Sequence, residues 1–131
     1  MARHSDMALP NPLVIVVDDD SAVRNSLKFS LEIEGFAVRI HASAEELLRT
    51  DDLGACQCFI VDQDMPGTTG LELVAALRRR GIQVPAVMIS GRVTPALTRQ
   101  ALAAGIALIE KPLLGNGLIE RVRSAIGNAG L

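Results

Sequence analysis

Four apolar runs in this chain end in side chains that could share one site. Val14-Ile15-Val16-Val17 leads into Asp18-Asp19-Asp20, and Phe59-Ile60-Val61 into Asp62-Gln63-Asp64. Ala86-Val87-Met88-Ile89 leads into Ser90, and Ala107-Leu108-Ile109 into Glu110-Lys111-Pro112. Unbroken apolar runs of this length are the mark of parallel strands buried on both faces. Open α/β sheets bind ligands beyond the carboxyl ends of such strands, so these residues converge on one edge. Carboxylates brought close repel one another unless a cation joins them. The set therefore suits a divalent ion together with an anion, and the chemistry it supports is phosphoryl transfer. A carboxylate can attack phosphorus, Mg²⁺ binds through one or two carboxylates plus phosphate oxygens, and lysine and serine can meet the remaining oxygens. Positioning and charge do most of the work in such a reaction.

The elements that must hold these residues alternate strand and helix five times. Strands fall near 13–17, 36–41, 57–62, 84–89 and 106–109, with helices near 20–34, 43–50, 69–80, 94–104 and 115–127. Asp20 or Ser21 can cap the first helix, and Val23, Leu27 and Leu31 give it one apolar stripe. Ser43 with Glu46 reads as a capping box, and Thr94 before Pro95 as another helix start. Alternation of this kind implies parallel strands joined by right-handed crossovers, with helices on both faces. Side-by-side first and third strands would set Asp18 and Asp19 next to Asp62, with Ser90 and Lys111 closing the other side.

Length and composition agree with one such unit. The 131 residues are 49% hydrophobic, enough for a sizeable core, and the net charge of −2 leaves no electrostatic footprint for nucleic acid. The one basic run, Arg78-Arg79-Arg80, closes a predicted helix and reads as its solvated end. No apolar stretch approaches the roughly 20 residues needed to span a bilayer, and residues 1–12 lack the apolar centre of a signal peptide. The expectation is a cytoplasmic protein with tails at 1–12 and 128–131 around a domain at 13–127. Cys56 and Cys58 should share one strand face as unreactive thiols, with no second pair to complete a zinc site. His4 and His41 have no ligand partner at useful spacing.

Four motifs in register resemble a known family. Val16-Val17-Asp18-Asp19-Asp20, Asp62-x-x-Met65-Pro66-Gly67-x-x-Gly70, Ile89-Ser90-Gly91 and Ile109-Glu110-Lys111-Pro112 look like the receiver domain of bacterial two-component response regulators. The resemblance spans residues 13 to 127 and implies a flavodoxin-like (βα)5 fold, a doubly wound five-stranded parallel sheet in the order 2-1-3-4-5; a member of this family is a standard instance of that order. It implies Asp62 as phosphoacceptor, with Asp18, Asp19, Asp62 and the backbone carbonyl of Asp64 holding Mg²⁺. It further implies that Ser90 and Lys111 meet the phosphoryl group, and that the Lys111-Pro112 bond is cis. The side chain of Asp64 is expected in solvent, and Asp20 as a helix cap rather than a metal ligand.

Two departures stand out. Leu108 occupies the place where relatives usually carry Tyr or Phe, and Leu113 follows Lys111-Pro112 where relatives often have Phe. Output would then rely on Ser90 and residues 91–94 rather than on a swinging ring. Arg92 and Asp64, of opposite charge, are expected to approach across the pocket mouth and to hinder a hydrolytic water.

The implied function is that of a stand-alone module, catalysing only its own phosphorylation and dephosphorylation. Its partners would be a sensor histidine kinase or phosphotransfer protein, docking near Val23 and Leu27, and a downstream protein target. Signalling would run through the fourth helix, fifth strand and fifth helix, with Arg99, Arg121 and Arg123 exposed and a homodimer possible there. Neither nucleic acid nor membrane is an expected direct partner. Two alternatives compete: a phosphatase of the haloacid-dehalogenase type using Asp62-x-Asp64, and a receiver-like interaction scaffold that is never phosphorylated.

Overall fold

A computed structural model describes residues 11–113 and 115–129; His4 and most of the expected N-terminal tail lie outside them. The strands are β1 (Leu13–Val17), β2 (Ala37–His41), β3 (Cys56–Asp62), β4 (Ala86–Ser90) and β5 (Ala107–Glu110). The helices are α1 (Ser21–Ile33), α2 (Ala44–Leu48), α3 (Gly70–Arg79), α4 (Pro95–Ala103) and α5 (Gly117–Ala129). All pairings are parallel, and the order is β2-β1-β3-β4-β5. Helix α5 runs two residues past the expected boundary at 127.

Alternation along the strands feeds two cores. Ile15, Val17, Phe59, Val61 and Met88 face α2, α3 and α4 through Leu47, Leu73, Leu77 and Leu97. Val14, Val16, Ile60, Val87 and Ile89 face α1 and α5 through Leu27, Leu31, Leu118 and Val122. Helices thus cover both faces, as the unbroken apolar strands require. Leu108 is half-buried against the α2–α4 layer.

The strand carrying Cys56 and Cys58 departs from expectation. Leu13 pairs with Cys56 but Val14 with Cys58, so the register skips Gln57. A residue inserted in this way resets the side-chain alternation. Cys56 consequently joins the α2–α4 core and Cys58 the α1–α5 core, on opposite faces rather than one. Burial pushes the two thiols up to about 11 and about 12, as expected for inert cysteines.

Several helix starts follow the sequence and one does not. Asp20 caps α1, accepting from the N–H groups of Ala22 and Val23, and Thr94 caps α4 ahead of Pro95. Ser43 caps α2, but Glu46 reaches the Ala42 N–H and His41 Nδ1 (3.3 and 3.0 Å) instead of closing a box. The reciprocal box belongs to Thr69 and Glu72 at the start of α3. Within the arginine run only Arg79 and Arg80 are exposed. Arg78 donates to the carbonyls of Ile82 and Val84 at 2.9 and 2.7 Å, tying down the α3–β4 loop.

Candidate functional site

The parallel register places the ends of β1, β3, β4 and β5 at one edge. Val17 pairs with Val61, Asp62 with Ile89, and Ser90 with Glu110. Asp18, Asp62 and Ser90 are the buried polar residues among those described. Asp18, Asp19 and Asp62 each offer a carboxylate oxygen within 4.8 Å of the others. Lys111 Nζ stands 3.4 Å from Asp18 Oδ2 and 3.6 Å from Asp62 Oδ1. Lys111 N–H also donates to the Ser90 carbonyl at 2.8 Å, so β4 and β5 carry the two residues as one unit. The Lys111-Pro112 bond is cis.

Local bonds fix Asp18 and Asp62. Asp18 Oδ1 accepts from the Asp20 N–H at 2.9 Å, and the Asp18 carbonyl accepts from Arg24 Nη1 at 2.7 Å. Asp62 Oδ1 accepts from the Asp64 N–H at 3.1 Å. Gln63 turns away and accepts the Leu71 N–H at the start of α3. Gly70 packs directly on this backbone: a Cβ there would lie 2.8 Å from the Asp62 carbonyl oxygen. Gly67 has φ +78°, a left-handed conformation that favours glycine.

Burial dominates the electrostatics of Asp62. Desolvation pushes its carboxyl up to about 6, the Asp64 N–H opposes that, Asp18 adds to it, and Lys111 opposes it. For Lys111 burial works against the charge, but the pull of Asp62 and Asp18 outweighs it and raises the ammonium pKa. Asp18 Oδ2 is buried and has no hydrogen-bond donor. A buried carboxylate oxygen that accepts no hydrogen bond, with Lys111 3.4 Å away and two further acids beside it, fits a small, hard divalent cation with oxygen ligands.

Sequence reasoning missed the role of the Asp64 side chain. It is exposed, yet Oδ2 accepts from the Ser90 hydroxyl and from the Gly91 N–H, both at 2.9 Å. No ion pair joins it to Arg92 among the described residues; the Arg92 main-chain N–H donates instead to Ser90 Oγ at 3.1 Å. Arg123 is likewise displaced from its expected place on the signalling face. Its guanidinium bonds Glu34 Oε1 at 2.9 Å and lies 5.7 Å from the Phe36 ring centre, joining α5 to the α1–β2 turn. His41, expected to have no ligand partner, joins no acidic cluster among the described residues; its Nδ1 lies 3.0 Å from Glu46 Oε1.

Beside the acidic pocket, a groove of about 600 Å³ separates α1 from the start of α5. Val23, Leu27, Leu113 and Leu118 line it, with Lys111 where it meets the pocket. Among the described residues, no helix is long and apolar enough to cross a membrane.

Comparison with known proteins agrees with this geometry. Residues 14–123 match the family described as the response regulator receiver domain. The chain is 37% identical over 123 residues to the transcriptional regulatory protein FixJ of Azorhizobium caulinodans, covering 92% of this chain and 58% of that one. It is 35% identical to the C4-dicarboxylate transport transcriptional regulatory protein DctR of Rhodobacter capsulatus, covering 86% and 59%. A crystal structure of a CheY-like receiver domain protein from Methanospirillum hungatei superposes with a TM-score of 0.83 at 27% identity, covering 92% and 97%. The chain spans a little over half the length of the two curated relatives.

Proposed function

The chain belongs to the response regulator receiver domain family, and on that footing we propose that it accepts a phosphoryl group on Asp62 from a histidine kinase or phosphotransfer protein. The observation that carries this reading is the meeting of three carboxylates, Asp18, Asp19 and Asp62, with the Lys111 ammonium 3.6 Å from the acceptor. An Asp62 carboxylate oxygen attacks phosphorus as the P–N bond to the donor imidazole breaks, and the bonding pair leaves with the imidazole. Lys111 neutralises a non-bridging oxygen, a task suited to a compact point charge. Asp18 has its Oδ1 held by the Asp20 N–H, while Oδ2 accepts no hydrogen bond and faces only the Lys111 ammonium at 3.4 Å, leaving it able to take a cation as well. Asp18, Asp19, Asp62 and the Asp64 carbonyl would hold Mg²⁺, which would supply the charge that screens these acids from the incoming phosphoryl oxygens.

The groove lined by Val23 and Leu27 supports docking of the phosphodonor beside the pocket. Output runs through a two-state shift at the α4–β5–α5 face, where Arg99, Leu102 and Arg121 are exposed and offer a surface to a protein target or second copy. The names of the two curated relatives favour an output in transcription control. The reading concerns the receiver unit, whose chemistry is the same whether it acts alone or within a longer regulator. The phosphatase alternative loses support because Asp64 Oδ2 is engaged as an acceptor from Ser90 and Gly91, not poised as a general acid.

Incubation with Mg²⁺ and a small acyl phosphate, followed by intact-mass measurement, tests the reading. Wild type should gain one phosphoryl mass and Asp62→Asn none. An unmodified wild type points to the scaffold alternative, and sustained release of inorganic phosphate from a phosphomonoester to the phosphatase.

A further inference from the structure

Asp64 joins the two sides of the acidic pocket. It lies just past the end of β3, whereas its partners Ser90 and Gly91 lie at the end of β4. Ser90 is fully buried; its oxygen accepts the Arg92 N–H, and its single hydroxyl proton is donated to Asp64. The same Asp64 oxygen takes the Gly91 N–H. Donors to a charged carboxylate form the stronger class of hydrogen bond.

We propose that the Asp64 carboxylate is an internal competitor of the phosphoryl group, occupying the Ser90 hydroxyl and the Gly91 amide until phosphorylation displaces it. The inference rests on the receiver reading above, and makes Asp64 a positioning residue acting through Ser90. One hydroxyl proton cannot serve two acceptors, so Ser90 reaches a phosphoryl oxygen on Asp62 only by leaving Asp64. The arriving negative charge repels the Asp64 carboxylate and competes for both of its donors. Resting and phosphorylated states therefore differ in which anion β4 holds. The strength of the Asp64 contact sets how far the resting state is favoured.

Two measurements decide the matter. In metal-free protein, Asp64→Ala should shift the Gly91 amide resonance upfield, speed its exchange with solvent, and release Ser90 to average over rotamers. Unchanged Gly91 and Ser90 signals overturn the proposal whatever the phosphoryl chemistry. The second measurement titrates beryllium fluoride with Mg²⁺, a stable mimic of the phosphoryl group, into wild type, Asp64→Ala, Ser90→Ala and the double variant. Asp64→Ala should bind the mimic at least about threefold tighter than wild type, in keeping with a lost hydrogen bond to a charged group that solvent partly replaces. That gain should fall by at least about half when Ser90 is already alanine, because the competition is then confined to Gly91. An equal gain in both backgrounds means simple removal of a negative charge and refutes the competitor. If wild type binds no mimic, the receiver reading falls and the competitor with it. The amide measurement tells that outcome apart from loss of the Asp64 contact alone.

Discussion

Asp62 is held in its reactive form at a cost to the fold. Its carboxyl is pushed up to about 6, chiefly by burial, against an ordinary value near 4. Between those two values the folded protein binds more protons than the unfolded chain, so stability falls as pH rises through that window. The penalty is complete above about pH 7 and absent below about pH 4. Metal-free Asp62→Asn should accordingly be more stable than wild type at pH 8, by on the order of 2–3 kcal/mol. Thermal melts should show the difference vanish toward pH 4. Lys111 works in the opposite direction, and Lys111→Met should slow labelling by acyl phosphate about a hundredfold, as expected when one donor to a developing charge is removed. Initial rates from intact-mass spectra measure this. Asp18, Asp62, Ser90 and Lys111 were legible in the sequence because each terminates an apolar run, and strand direction alone brings such ends together. The Asp64 side chain was not, because its partners lie 26 and 27 residues away, at the end of β4 and just past it, and no local pattern records that approach.

At the scale of elements, α3 is the support on which the acceptor rests. Gly70 opens the helix directly against the Asp62 and Gln63 backbone, and an added Cβ would meet the Asp62 carbonyl oxygen at 2.8 Å. Neither partner is a flexible side-chain end, so the helix or the strand must shift. Gly70→Ala should destabilise by about 1–3 kcal/mol and also slow phosphorylation, because the displaced backbone carries the acceptor. Thr69→Ala, one residue earlier, loses the capping box at an expected cost of about 1 kcal/mol, yet should leave the labelling rate unaltered. Denaturant titration beside the labelling assay separates support of the site from support of the helix. The element positions were readable from apolar periodicity and cap residues. The capping box was assigned to Ser43 and Glu46, whereas Thr69 and Glu72 form it. Glu46 had a competing partner in His41, a contact made only once β2 and α2 fold back on each other.

For the molecule as a whole, metal linkage gives the simplest global readout. A cation bound by the folded acids and not by the unfolded chain should raise stability by about 2.7 kcal/mol at a hundred times its dissociation constant. Melting with and without Mg²⁺ measures this, and Asp19→Asn should shrink the gain. Alternating strands and helices made the α/β class legible from pattern, but the strand order came through family resemblance, since no one-dimensional period encodes which strand lies beside which. The placement of Arg123 shows the same limit: the family resemblance put it on the signalling face, and packing of α5 beside α1 took it to Glu34 and Phe36. The skipped register at Gln57 supplies the molecule with two separate alarms. Because Cys56 and Cys58 lie beneath different helical layers, a sulfhydryl dye that captures one before the other tells which half of the sandwich opens first. The chain can thus report its own order of unravelling without any engineered label.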